Sequence, residues 1–194
     1  MSLHGMMSGI LAFLSLFWSL FVFWLSIFLS PFRHPNSLWI IIPIWLAWFF
    51  AEFFQEKKKT SFGNAISNGV IPLWVSVDWT RMLIFQLNEG TVRFGWPVAI
   101  KFFICLLVFA YGLTIIIGGI RTKQFIHYIG RIREVTYVLV VFTPIIYGIM
   151  EMSWTFFLSI ILFFPVFYFI FEFINKYAPT PKALRDEEDE KGMP

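Results

Sequence analysis

Apolar residues run in six blocks along this chain, at positions 9–30, 38–54, 70–87, 98–120, 135–150 and 154–174, with short polar breaks between them. A block of about 20 residues at 1.5 Å per residue crosses a hydrocarbon core of roughly 30 Å, so each block is a candidate membrane helix. The first reads as a retained span and not a signal peptide. No Lys or Arg precedes it, its apolar run is longer than a leader's, and no small-residue cleavage site follows. Pro31 and Pro35 stop it. Pro43, Pro144 and Pro165 fall inside the second, fifth and sixth blocks, where each predicts a kink. Pro97 opens the fourth at a position that tolerates it.

Two breaks carry a pattern of their own. Between 60 and 69 the residues Gly63, Asn64, Asn68 and Gly69 read as turn and cap residues. Between 121 and 134, Phe125, Ile129 and Ile132 recur at i, i+4 and i+7, which predicts a short amphipathic helix lying on the membrane surface. After 177 come two prolines and the run Arg185-Asp-Glu-Glu-Asp-Glu190, a disordered charged tail over 178–194. Residues 1–177 then form one transmembrane domain.

Composition agrees with that pattern. The chain of 194 residues is 58% hydrophobic, 21% aromatic and 14% charged, more apolar surface than a soluble core of this length can hide. The expected fold class is all-α: a polytopic integral membrane protein, a bundle of about six transmembrane helices. The third is polar and spans the membrane fully or only halfway. The net charge of +3 does not point to nucleic acid, because the basic residues lie at block boundaries. Cys105 is alone in an apolar run, so no internal disulfide forms and no Cys/His metal pattern exists.

Loop charge sets orientation. With six spans and the N-terminus inside, the inner side gathers Lys57, Lys58, Lys59, Arg121, Lys123, Arg131, Arg133 and the basic residues after 175; the outer side keeps Arg33, Arg93 and Lys101. If block three does not cross, the better arrangement leaves Lys57, Lys58, Lys59, Arg81, Arg93 and Lys101 outside, a weaker bias. The expectation is six spans in the cell membrane with both termini cytoplasmic.

Candidate chemistry concentrates in block three. Asp78 and Arg81 lie three apart, on one helix face at membrane depth, where charge is costly and often functional. They suit a substrate or ion pathway, a structural pair, or wet charges on an interfacial helix. The stripe Trp74, Asp78, Arg81, Phe85 is expected to pack inward. Glu52 and Glu56, four apart, extend a pathway toward the inner mouth or are solvated at a span end beside Lys59. Asn64 and Asn68 offer amides to a head group or solute. Lys57, Lys58, Lys59, Arg131 and Arg133 suit anionic lipid head groups.

His4, His34 and His127 are far apart and on different sides of the six-span arrangement, so no shared metal site is expected, and no cofactor motif is present. The leading expectation is a small transporter- or channel-like protein with its polar site at Asp78/Arg81. The alternative is a non-catalytic scaffold or accessory subunit. The third is a lipid- or isoprenoid-modifying enzyme using Glu52 and Glu56. Expected partners are membrane lipids and a homo-oligomer or a larger membrane complex.

Overall fold

The computed structural model describes residues 3–54 and 61–177, with side chains in the first helix from Met7 onward. Its helices are α1 (Leu3–Leu29), α2 (Pro35–Phe54), α3 (Phe62–Asn88), α4 (Trp96–Ile120), α5 (Ile126–Ile129), α6 (Ile132–Ile146) and α7 (Trp154–Tyr177), with a 3₁₀ turn at Ser30–Arg33 between the first two. No strand occurs among the described residues. Four helices are long and apolar enough to cross a membrane: α1 with its 3₁₀ turn, α2, α4 and α7. The protein is an all-helical, membrane-embedded bundle.

Helix α6 is the hub. It has 15 residues, only Glu134, Val138 and Phe142 of them part-exposed. A helix buried on nearly every side must be surrounded by neighbours that satisfy its polar groups, and α6 bonds to a different neighbour at nearly every turn. Arg133 reaches Glu52 on α2 and Glu172 on α7. The Tyr137 hydroxyl donates to the Ile160 carbonyl of α7 at 2.5 Å and accepts from Trp24 Nε1 of α1 at 3.2 Å. Thr143 accepts from Trp79 Nε1 of α3 at 3.2 Å. In membranes such bonds contribute about 0.6–2 kcal/mol each, and they also fix helix register.

These pairs give the helix directions. Asn68, Trp79 and Gln86 of α3 meet Gly130, Thr143 and Ile146 in rising order, so α3 and α6 run parallel. Helix α6 runs antiparallel to α7, with Arg133 on Glu172 and Phe142 on Phe156. It also runs antiparallel to α2, with Arg133 on Glu52 and Tyr147 beside Ser37. The bundle therefore has an Arg133 end and an Asp78 end. Core side chains lie on both flanks of α6: Ile40, Ile41, Ile44, Val75, Trp79 and Leu83 on one, and Leu20, Trp24, Ile27, Phe156 and Phe163 on the other.

Helix α4 packs along α3 with the backbones touching. A Cβ at Gly112 would lie 2.8 Å from the Gly69 carbonyl oxygen, and one at Gly69 would lie 3.1 Å from that of Gly112. Only glycine permits this approach, the usual device of helix pairs in lipid. Helix α1 makes fewer contacts. Phe17, Phe21 and Trp24 all converge on Phe163 of α7, and its residues 7–19 are exposed throughout.

Three expectations need correction. The 61–69 segment is not a turn: Ser61 caps α3, its Oγ accepting the Asn64 N–H at 3.1 Å, and the helix starts eight residues before block three. Gly69 is spent on the α4 crossing and Asn68 on a tertiary bond. The 121–134 segment forms one helical turn, not a surface helix. Thr122, with φ of 50°, ends α4, and Gly130 packs against Ala65, where a Cβ would come within 2.9 Å of that side chain. Of the predicted stripe only Ile132 is buried, at the start of α6, while Phe125 is exposed and Ile126 is buried in its place. Finally, Trp74, Arg81 and Phe85 face outward, and only Asp78 of that stripe is buried. The buried face of α3 is Ala65, Asn68, Pro72, Val75, Trp79, Leu83 and Gln86, the three- and four-residue spacing of a packed helix.

Candidate functional site

Chain geometry builds two polar clusters. At the Asp78 end, Gly148 adopts φ of 72° and closes α6 in a Schellman motif: Gly148 N–H bonds the Ile145 carbonyl and Ile149 N–H the Pro144 carbonyl. This places Tyr147 on the last turn of α6, facing α3. Its hydroxyl donates to Asp78 Oδ2 at 2.6 Å. The other oxygen, Oδ1, accepts from Arg81 Nε at 3.1 Å and Nη2 at 2.7 Å. Both oxygens of this buried carboxylate are satisfied, which is what allows it at 6% exposure, while the Arg81 side chain is 62% exposed. A pocket of about 200 Å³ opens here, lined by His34, Pro35, Asn36, Ser37, Met82, Tyr147 and Ile149.

At the opposite end, Glu52 at the close of α2, Arg133 at the start of α6 and Glu172 near the close of α7 converge. Arg133 donates through Nε at 2.8 Å and through Nη2 to Glu52 Oε1, and through Nη1 at 2.5 Å to Glu172 Oε2. The fork of the guanidinium suits this three-helix junction. Arg133 and Glu52 are 4% and 3% exposed and Glu172 is 54% exposed. Tyr168 places its ring 5.2 Å from the guanidinium carbon and accepts from Arg131 at 3.3 Å. Trp48 meets Phe171 edge-on at 4.4 Å and packs with Ala51 and Ile132 in the adjoining apolar cluster. Glu134 adds a further carboxylate, its Oε2 buried without a hydrogen-bond partner.

The sequence-predicted residues thus divide. Asp78 and Arg81 do pair. Glu52 is not near them: it is buried in the other cluster and not solvated, because α2 ends against α6. Arg133 is likewise corrected from a head-group contact to a buried tertiary ion pair, and Arg131 remains part-exposed. Asn68 Nδ2 donates to the Gly130 carbonyl at 2.9 Å, joining α3 to the chain just before α6, and Asn64 lies part-exposed in the first turn of α3. Glu56, Lys57, Lys58, Lys59 and the 178–194 tail lie outside the described residues. Between the clusters stands a dry layer of Ile40, Ile41, Ile44, Leu139 and Val140, each 1% exposed or less. No group of three metal-ligating side chains occurs among the described residues.

Tyr147, Glu172 and Tyr168 complete these clusters without having been singled out in the sequence. For Glu172 a signal did exist. Glu52, Arg133 and Glu172 each stand at a block boundary, and alternating spans bring those three boundaries to one membrane face. The chain matches no family model, and no match is found among curated proteins or solved structures.

Proposed function

We propose that this chain is a non-catalytic membrane scaffold or accessory subunit: six crossing helices, both termini cytoplasmic, held rigid by an ionic lock at each end. The observation that carries this reading is the commitment of Asp78, Glu52 and Arg133 to neighbouring helices, with a dry apolar layer between them. Groups spent on internal bonds serve fold specificity better than passage of a solute. The alternating directions of α2, α3, α6 and α7 support six spans, as does α4, which runs antiparallel to α3 with Gly112 on Gly69 and Gly119 on Ile66; α1, at 27 residues, is long enough to cross. In that arrangement the Arg133 end is cytoplasmic, together with the Lys-rich segment.

Purification in a mild detergent tests it. The expected result is a partner chain retained in fixed ratio, with no ion or solute flux when the protein alone is placed in liposomes. A flux abolished by Asp78→Asn overturns the reading and establishes the alternative, a small transporter or channel. One observation favours that alternative: the 200 Å³ pocket whose wall includes Tyr147, the residue bonded to Asp78. A transporter of this kind would use the two clusters as outer and inner gates of an occluded state. The lipid-enzyme reading draws no support, since the Glu52 carboxylate is already bound by Arg133.

A further inference from the structure

We propose that the groove between α2 and α3 binds one anionic phospholipid of the leaflet at the Asp78 end, with its phosphate on Arg81 and an acyl chain in the groove. The groove has a volume of about 440 Å³ and is lined by Pro35, Leu38, Trp39, Ile42, Pro43 and Trp74. Its lining is apolar throughout, and Trp39 and Trp74 expose their rings beside it. A slot of this chemistry on a lipid-facing surface suits a hydrocarbon chain.

Charge complementarity identifies the head group. Arg81 stands seven residues after Trp74, within about 20° of the same face and about 10 Å nearer the Asp78 end. Both residues therefore point along the α2/α3 side, with the cation toward the interface and the tryptophan toward the membrane interior. The neighbours of Arg81 on the outward surface of α3 are Val77, Ile84 and Phe85, all exposed and apolar. An arginine on such a strip is costly unless an acceptor is within reach. Asp78 engages Nε and Nη2 only, leaving the Nη1 donors for another acceptor. Arg81 also lies seven residues, about 10 Å, before the end of α3, a depth from which its stem reaches the head-group layer. A phosphate diester there would take up the remaining donors in the geometry that guanidinium favours.

Asp78 has a second role in this arrangement. By holding Nε and Nη2 it fixes the guanidinium in one orientation, so the site is organised before lipid arrives. The inference rests on α3 standing in the membrane, and it holds equally for a scaffold or a transporter.

The test uses the full chain in bilayers of phosphatidylcholine doped with brominated phosphatidylglycerol or brominated phosphatidylcholine, read by tryptophan quenching. The Trp74 contribution is the difference between wild type and Trp74→Leu. The expected result is that this contribution is quenched at severalfold lower mole fraction of the anionic lipid. The preference disappears in Arg81→Gln and is largely kept in Arg81→Lys. Native mass spectrometry of the wild-type chain gives a reading free of any variant, with phosphatidylglycerol retained over phosphatidylcholine. Equal quenching by the two lipids overturns the proposal, as does a preference that survives Arg81→Gln, which puts the head group elsewhere. Protection of Trp74 from both lipids also overturns it, since protein then covers the groove.

Discussion

The two ionic clusters use the same chemistry in opposite ways. At the Asp78 end the ion pair is local, within one turn of α3, and a single hydroxyl from α6 ties it to the rest of the bundle. Its cation faces outward. At the Arg133 end the cation is the buried partner, and its carboxylates come from 81 and 39 residues away on two other helices. Removing Arg81 leaves a carboxylate that still has Tyr147. Removing Arg133 leaves Glu52 buried with no compensating charge. The first cluster tunes a surface and the second locks three helices together. A buried charge is thus most informative when its partners lie on different elements.

That contrast orders the expected effects of substitution. The largest follows Arg133→Met, which strands Glu52. Breaking a buried pair from one side costs about 3–5 kcal/mol. In a chain of this size that is a fall in thermal midpoint on the order of 10 °C, measured by the loss of a folded gel-filtration peak after heating in detergent. Next comes Tyr147→Phe. It removes a buried donor to a charged oxygen, a loss of about 1–3 kcal/mol, and leaves α6 joined to α3 at that end by the neutral Trp79–Thr143 and Gln86–Ile146 bonds. Amide exchange should then rise in the last turn of α6 while the Arg133 end is unchanged. A uniform rise along the bundle would mean that the two ends are not separable. The smallest effect belongs to Glu172→Gln. This carboxylate is half exposed, so the loss should stay within about 1 kcal/mol and shrink further in high salt.

Much of the fold was legible in the sequence because membranes impose a simple rule: apolar blocks long enough to cross, with basic residues between them. Blocks two, four and six match α2, α4 and α7 within about three residues at either end. The Asp78–Arg81 pair was equally legible, since three-residue spacing forces proximity in any helix. The facing of their stripe was not. Hydrophobicity alone does not say which side of α3 meets protein, because Trp74 and Phe85 are as comfortable against lipid as against a neighbour. The decisive residues were the small ones: Gly69, which lets α4 approach, and Ala65, which lets Gly130 in. Their meaning depends on what lies opposite. The same is true of Arg133, whose basic side chain at a block boundary looks like an orientation signal until α2 and α7 bring carboxylates to it.

A double-mutant comparison tests most directly that the Arg133 cluster is an internal lock and not part of a hydrated path. Thermal midpoints would be measured in one detergent for wild type, Arg133→Met, Glu52→Met and the two combined. If Arg133 and Glu52 exist to neutralise each other in a dry junction, each single change is strongly destabilising and the double change recovers most of the loss, because well-packed apolar side chains replace a buried pair at little cost. If the double change is as unstable as the sum of the two, or Arg133→Met alone matches wild type, the junction is wet and its charges are independent, and the account of a locked scaffold is contradicted.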